Sequence, residues 1–183
     1  QLRDHLEEIA RIGSLMIVHA EDPETLAAAP SVGGRAYSDF LASRPDESEV
    51  AAIALLIDTV RATGARAHIL HLSSAKALPQ IRAAKAEGLA LTVETCPHYL
   101  SFDADTIRDG STAHKCCPPI RDDGNRNALW DALLAAGFDK VDYVDVRAAD
   151  DLRRFEGAPD APARVLAAAW IGKTRLIDNM AAG

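Results

Sequence analysis

Cysteine is scarce in this chain, and its spacing suits neither disulfides nor a cysteine-built metal site. Three cysteines stand in 183 residues, two of them adjacent at 116 and 117. No CxxC pair occurs, so a disulfide framework and a structural zinc site are both disfavoured, and small buried hydrophobes are the default reading. Long apolar runs are also missing: every hydrophobic stretch is short and broken by charge, so no membrane span is expected. Positive charge is in deficit, with 20 basic against 27 acidic residues, a net charge of -7 and a pI of about 5.3. That balance, without any strongly basic window, argues against nucleic-acid binding. The opening QLRDHLEEIARIG has the charge of a surface helix and lacks the apolar core of a signal peptide. A reducing, cytoplasmic setting is the simplest expectation.

The last third lacks something more telling. All six histidines and all three cysteines lie at or before position 117. Chemistry that needs an imidazole or thiolate must come from the first two-thirds. What is present there is ample for a core, at 48% hydrophobic residues overall.

Leu2, Leu6, Ile9 and Ile12 recur at helical spacing and predict an amphipathic helix ending near Gly13. LMIVHA reads as a buried strand, and residues 21–38, rich in Pro, Gly, Ala and Ser, as a long loop. Asp22-Pro23 and Pro118-Pro119 are turn and extended-chain signals first. The pattern predicts a helix over 47–63, with Asp46 as N-cap, Glu49 completing a capping box and Gly64 closing the helix. AHILHLSS, residues 67–74, is a strand; helix follows over 77–86, with Pro79 tolerable in its first turn. LALTVETC, residues 89–96, is a strand; 97–123 is a loop and 125–136 a helix. Apolar strands alternating with helices predict an α/β fold with parallel strands and crossover helices. Three units are too few to close an eight-stranded barrel, which takes about 250 residues, so the expectation is a partial (β/α)8 (TIM) barrel. From Val141 the pattern changes. VDYVDVR alternates, and RVLAAAWIG and TRLIDNM follow as strands joined near Gly172, which predicts a small antiparallel α+β unit.

Two strands end in histidine and then turn polar. In parallel barrels, strand C-terminal ends carry the functional groups. A lone histidine at a strand end is usually structural, but His19 and His71 at the ends of two neighbouring strands are better than chance as metal ligands. Imidazole suits zinc or a similar borderline ion. Strand alternation puts His68 opposite His71, packed against helices. Glu21 is either an orienting partner of His19 or an ordinary loop carboxylate. His98, after Pro97 at a strand end, reads equally as a site-facing or a packing residue. His5 reads as solvated. Lys115 and Arg121 flank the proline pair, where an anionic substrate or solvent could meet them.

IVHAED (17–22), FLASRP (40–45), HILHLSS (68–74), LTVETCPHYL (91–100) and KCCPPIR (115–121) together resemble the cyclic amidohydrolases, most closely the allantoinase, hydantoinase and dihydroorotase group. The resemblance covers residues 1–136. It implies a (β/α)8 barrel with two divalent metals and a bridging hydroxide that attacks a ring amide carbon. It also implies a small cyclic ureide as substrate, with self-assembly open. In that family the ligands are an early His-x-His pair, a carboxylated lysine, two later histidines and a late aspartate that carries the proton. Residue by residue, His19 and His71 match the two later histidines; His98, Lys115 and Cys117 lie in segments that border the substrate pocket. The His-x-His pair and the lysine would precede Gln1. Asp142 and Asp145 stand at roughly the distance of the aspartate, in a strand unlike that family's, so no catalytic residue is identifiable in this chain.

Residues 138–183 carry a second likeness. From about Ala135, AAGFDKVDYVDVRAADDLRRF, and then ARVLAAAWIGKTRLIDN at 163–179, resemble the C-terminal unit of pantothenate synthetase, the pantoate–β-alanine ligase family, which uses ATP. GKT here is no phosphate loop, since residue 167 is alanine where that motif needs glycine. Three functions compete: a metal-dependent cyclic amide hydrolase, a pantoate–β-alanine ligase fragment, and a composite or truncated chain without activity of its own. Residues 1–136 and 138–183 are expected not to share one core, with Gly137 at the seam.

Overall fold

A computed structural model describes residues 1–155 and 161–182. In chain order the elements are α1 (Leu2–Arg11), β1 (Leu15–Val18), α2 (Pro23–Ala28), α3 (Tyr37–Ala42), α4 (Asp46–Thr63), β2 (Arg66–Ile69), α5 (Leu78–Ala86), β3 (Leu91–Val93), α6 (Asp123–Ala135), β4 (Lys140–Ala148), β5 (Ala163–Ile171) and β6 (Thr174–Ala182). They form two compact units. One holds residues 1–32 and 42–95; the other holds 33–41 and 96–183. No helix among the described residues is long and apolar enough to cross a membrane.

In the first unit β1, β2 and β3 make a parallel sheet in that order. Ala67, Ile69 and Leu91 are buried on one face. The long helix α4 packs on β2, α1, α2 and α5, and its stripe of Ile53, Leu56, Ile57 and Val60 forms the core with Leu6 and Ile81. Gly64 closes α4 in the left-handed conformation, at φ 69°, where a side chain would be strained. The three strands do not close on themselves. The opposite face carries Ile17, 61% exposed, beside His68 in the adjoining strand.

Three local expectations change here. Residues 21–38 are not one loop. Asp22 accepts a hydrogen bond from Thr25 N at 2.8 Å and Pro23 opens α2, a start signal within the Pro-rich run. The capping box at α4 does not form: Pro45 is the N-cap, without a side-chain bond, and Glu49 turns inward. His68 does not pack against helices. β2 stops at Ile69 and His71 has a φ of 40°, so alternation counted back from His71 gives the wrong face.

In the second unit β4, β5 and β6 form an antiparallel meander. Gly172, at φ 57°, turns the chain between β5 and β6. GKT is therefore a hairpin turn. Among the described residues of 138–183 the elements are β4, β5 and β6, with no helix. The sequence places a change of character at Gly137, whereas the compact units change at Cys96. In the second unit β5 and β6 lie against the turn at Pro97–Leu100, far away along the chain, where His98 Nδ1 comes 2.7 Å from Met180 Sδ. Trp130 of α6 donates to Leu100 O at 3.0 Å, adding α6 to the same unit.

Candidate functional site

His19 follows the last residue of β1, and His71 stands two residues beyond β2. The parallel register puts Val18 beside Ile69, and Leu70 N donates to Val18 O at 3.0 Å, so both strands end level. His19 Nδ1 then lies 3.2 Å from His71 Nε2, with the rings edge-on at 70°. His19 Nε2 meets Glu21 Oε2 at 2.9 Å, and Arg44 Nη1 meets the same oxygen at 2.5 Å. The Glu21 side chain is 2% exposed.

The turn after β2 is held from below. Glu49, 1% exposed on α4, accepts from Ser73 N at 3.0 Å and from Ser74 N at 2.8 Å. Leu72 N donates to Glu94 O at 2.7 Å, and Thr95 Oγ1 donates to Leu72 O at 2.7 Å. Ser74 Oγ donates to Asp46 at 2.5 Å. These bonds hold His71 in a backbone conformation that a non-glycine residue rarely takes. Burial lowers the His71 pKa below the ordinary imidazole range, and the neighbouring His19 adds to the effect. A neutral ring is the form that binds metal.

The pair fits two positions of a metal shell. Two nitrogens on one tetrahedral ion at 2.0–2.1 Å stand about 3.3 Å apart, close to the 3.2 Å between these rings. His71 Nδ1 and Glu21 Oε1 are buried without a hydrogen-bond partner. Among the described residues no group of three or more His, Cys, Asp or Glu side chains gathers to hold an ion. His68 is engaged elsewhere, with Thr92 Oγ1 at 2.7 Å and Glu94 at 3.2 Å.

The other residues singled out in the sequence lie in the second unit. His98 is buried, 4.0 Å from Tyr99 between ring centroids. Lys115 is exposed, its Nζ 5.4 Å from the Phe40 ring centroid. Cys117 is exposed and precedes a cis bond to Pro118; none of the three cysteines forms a disulfide. Asp142 takes Lys140 Nζ, Trp170 Nε1 and Arg175 Nε at 2.8–2.9 Å, and Asp145 pairs with Arg147 and Arg154. Asp142 thus ties β4 to β5 and β6, while the partners of Asp145 lie in β4 itself and just after it.

Sequence reasoning missed Arg44 and the true role of Glu49. The signal for Glu49 was its place on the apolar stripe, at i−4 from Ile53 and i−7 from Leu56. It also missed Tyr37, whose buried hydroxyl accepts from Ile120 N at 3.0 Å.

Residues 62–181 match the family described as pantoate-beta-alanine ligase. The chain belongs to that family. Curated relatives add a second affinity to this pantoate-beta-alanine ligase family member. The allantoinase of Streptomyces avermitilis is 54% identical over 141 residues, 77% of this chain and 32% of that protein. The allantoinase of Saccharomyces cerevisiae is 46% identical over 137 residues, 72% of this chain and 30% of that protein. Among solved structures, the L-hydantoinase of Arthrobacter aurescens superposes with a TM-score of 0.64 at 28% identity, over 72% of this chain and 30% of that one. A D-hydantoinase from Bacillus sp. AR9 gives 0.66 at 29%, with the same shares. These neighbours are amidohydrolase barrels, and the parallel unit is a segment of that kind of fold. The chain spans about a third of the length of the relatives it matches. The ligase match and the allantoinase match overlap along the chain. One relative, from Aquarana catesbeiana, is named as a mitochondrial allantoinase, so the likeness does not set the compartment.

Proposed function

We propose that residues 1–136 are part of a metal-dependent hydrolase acting on a small cyclic ureide of the allantoin type. The observation that carries this is the 3.2 Å approach of His19 Nδ1 to His71 Nε2 at level strand ends. Identity of 54% to an allantoinase supports it. His19 and His71 would hold a divalent ion such as zinc, and further ligands would complete a binuclear site. When bound, such an ion polarises a ring carbonyl and lowers the pKa of water. In the reaction water adds across a ring C–N bond, leaving a carboxylate and a freed nitrogen. What this chain's residues do is positional: Glu49 sets the turn that carries His71, and the Glu21 carboxylate receives His19. By the family likeness, His98, Lys115 and Cys117 belong to segments that face substrate.

A second reading is favoured by the match over residues 62–181: a pantoate–β-alanine ligase segment joined to the hydrolase segment in a composite chain. The two readings are separated by assay. Two imidazoles are one ligand fewer than a catalytic zinc site uses. The chain should therefore bind zinc weakly, lose that binding with His71→Ala, and show no allantoin hydrolysis alone. Hydrolysis abolished by His71→Ala would prove the site more complete than described. Pyrophosphate exchange into ATP that depends on pantoate would favour the ligase reading.

A further inference from the structure

We propose that Glu21, braced by Arg44, is the positioning residue that fixes the tautomer and aim of His19. This rests on the reading of His19 as a metal ligand, but its geometry stands without one. A carboxylate can only accept a hydrogen bond. Glu21 Oε2 lies 2.9 Å from His19 Nε2, so that nitrogen carries the proton. A neutral imidazole has one protonated nitrogen, which leaves the His19 Nδ1 lone pair bare and directed at His71 Nε2, 3.2 Å away. In the metal-free chain His71 Nε2 must then donate to His19 Nδ1. The His71 Nδ1 left bare by that bond is the buried nitrogen without a hydrogen-bond partner. The hydrogen bonds run in one direction, from His71 through His19 to Glu21.

Glu21 is held rigidly enough to impose this order. Its side chain is 2% exposed, and Arg44 Nη1 sits 2.5 Å from the oxygen that His19 uses. Its neighbours are pinned: Ala20 is 4% exposed, and Asp22 N donates to Ser48 O at 2.9 Å while its side chain caps α2. A carboxylate that orients a ligating imidazole in this way raises ligand basicity, and losing it costs about 10–100-fold in metal affinity. The plain alternative is an ion pair of Glu21 with Arg44 that stabilises the turn and leaves the His19 tautomer unconstrained.

Two-bond proton–nitrogen correlation spectra of the full chain, labelled with 15N at histidine, decide between them. They are recorded without metal, at a pH where the rings are neutral, with His19→Asn for assignment. Both His19 and His71 are expected with the proton on Nε2 and a bare Nδ1. Glu21→Gln, whose amide can donate as well as accept, should turn His19 into a mixture of tautomers and weaken zinc binding by about 10–100-fold. If that variant does not fold, Glu21→Asp retracts the carboxylate while keeping its charge beside Arg44 and should do the same. A wild-type His19 protonated at Nδ1, or a tautomer unchanged in these variants, overturns the proposal. A wild-type chain with the expected tautomers but no zinc affinity would sink the metal reading and leave this one standing.

Discussion

Replacing Glu49 by Gln tests the idea that a buried carboxylate shapes the turn behind His71. The substitution keeps side-chain volume, so no cavity term enters. In the native chain, Ser73 N and Ser74 N each donate to a separate oxygen of Glu49, at 3.0 and 2.8 Å. Both serines and the glutamate are 0–1% exposed, so water cannot take over either bond. Hydrogen bonds to a charged acceptor contribute about 1.5–3 kcal/mol each, and a buried donor left unpaired costs about 1–3 kcal/mol. Glutamine keeps one acceptor oxygen, but its NH2 group faces the second N–H. The expected loss is about 2–4 kcal/mol, a large share of the ~5–15 kcal/mol that holds a typical domain together. Urea unfolding followed by circular dichroism should register it, and the Ser73 and Ser74 amides should exchange ~30- to ~1000-fold faster. A loss below ~0.5 kcal/mol, with Ser73 and Ser74 exchange unchanged, would refute the clamp, since ordinary surface changes fall in that range.

Two further outcomes are expected. Lys140 first, then Arg175 and Trp170, holds the Asp142 carboxyl well below the usual carboxylate range. With its folded pKa depressed, Asp142 contributes stability above the ordinary carboxylate pKa, and that contribution is lost as pH falls toward the folded value; protection of β4–β6 amides should fall below about pH 4 in the native chain and should show less of that pH dependence in Asp142→Asn. Tyr37→Phe removes the acceptor of Ile120 N, a buried bond of 3.0 Å, and should cost about 1–3 kcal/mol in urea unfolding; a neutral result would mean that Ile120 N finds another partner.

Much of this molecule is local and therefore readable along the chain. The period of α1 and α4, the left-handed stop at Gly64 and the hairpin at Gly172 depend on residues a few positions apart. The pairing of His19 with His71 is legible because each follows an apolar strand within two residues and leads into a polar stretch. Where reading failed, a distant partner had intervened. Glu49 looks like the second half of a capping box, yet its carboxylate belongs to two amides in the turn after β2, 24 and 25 residues away. Alternation counted through His71 puts His68 on the helix side, but at His71 the backbone takes a φ of 40°. The compact units change at Cys96, and in the second of them Met180 meets His98 across 82 residues. Sequence alone determined the long helices α1, α4 and α6, the apolar strands and the two histidines that follow them, because periodicity and caps are set by near neighbours. Tertiary structure alone decided which buried acceptor each orphaned N–H would find, and so where the His71 ring is held. A polar group taken out of water must be satisfied by whatever the folded chain brings beside it.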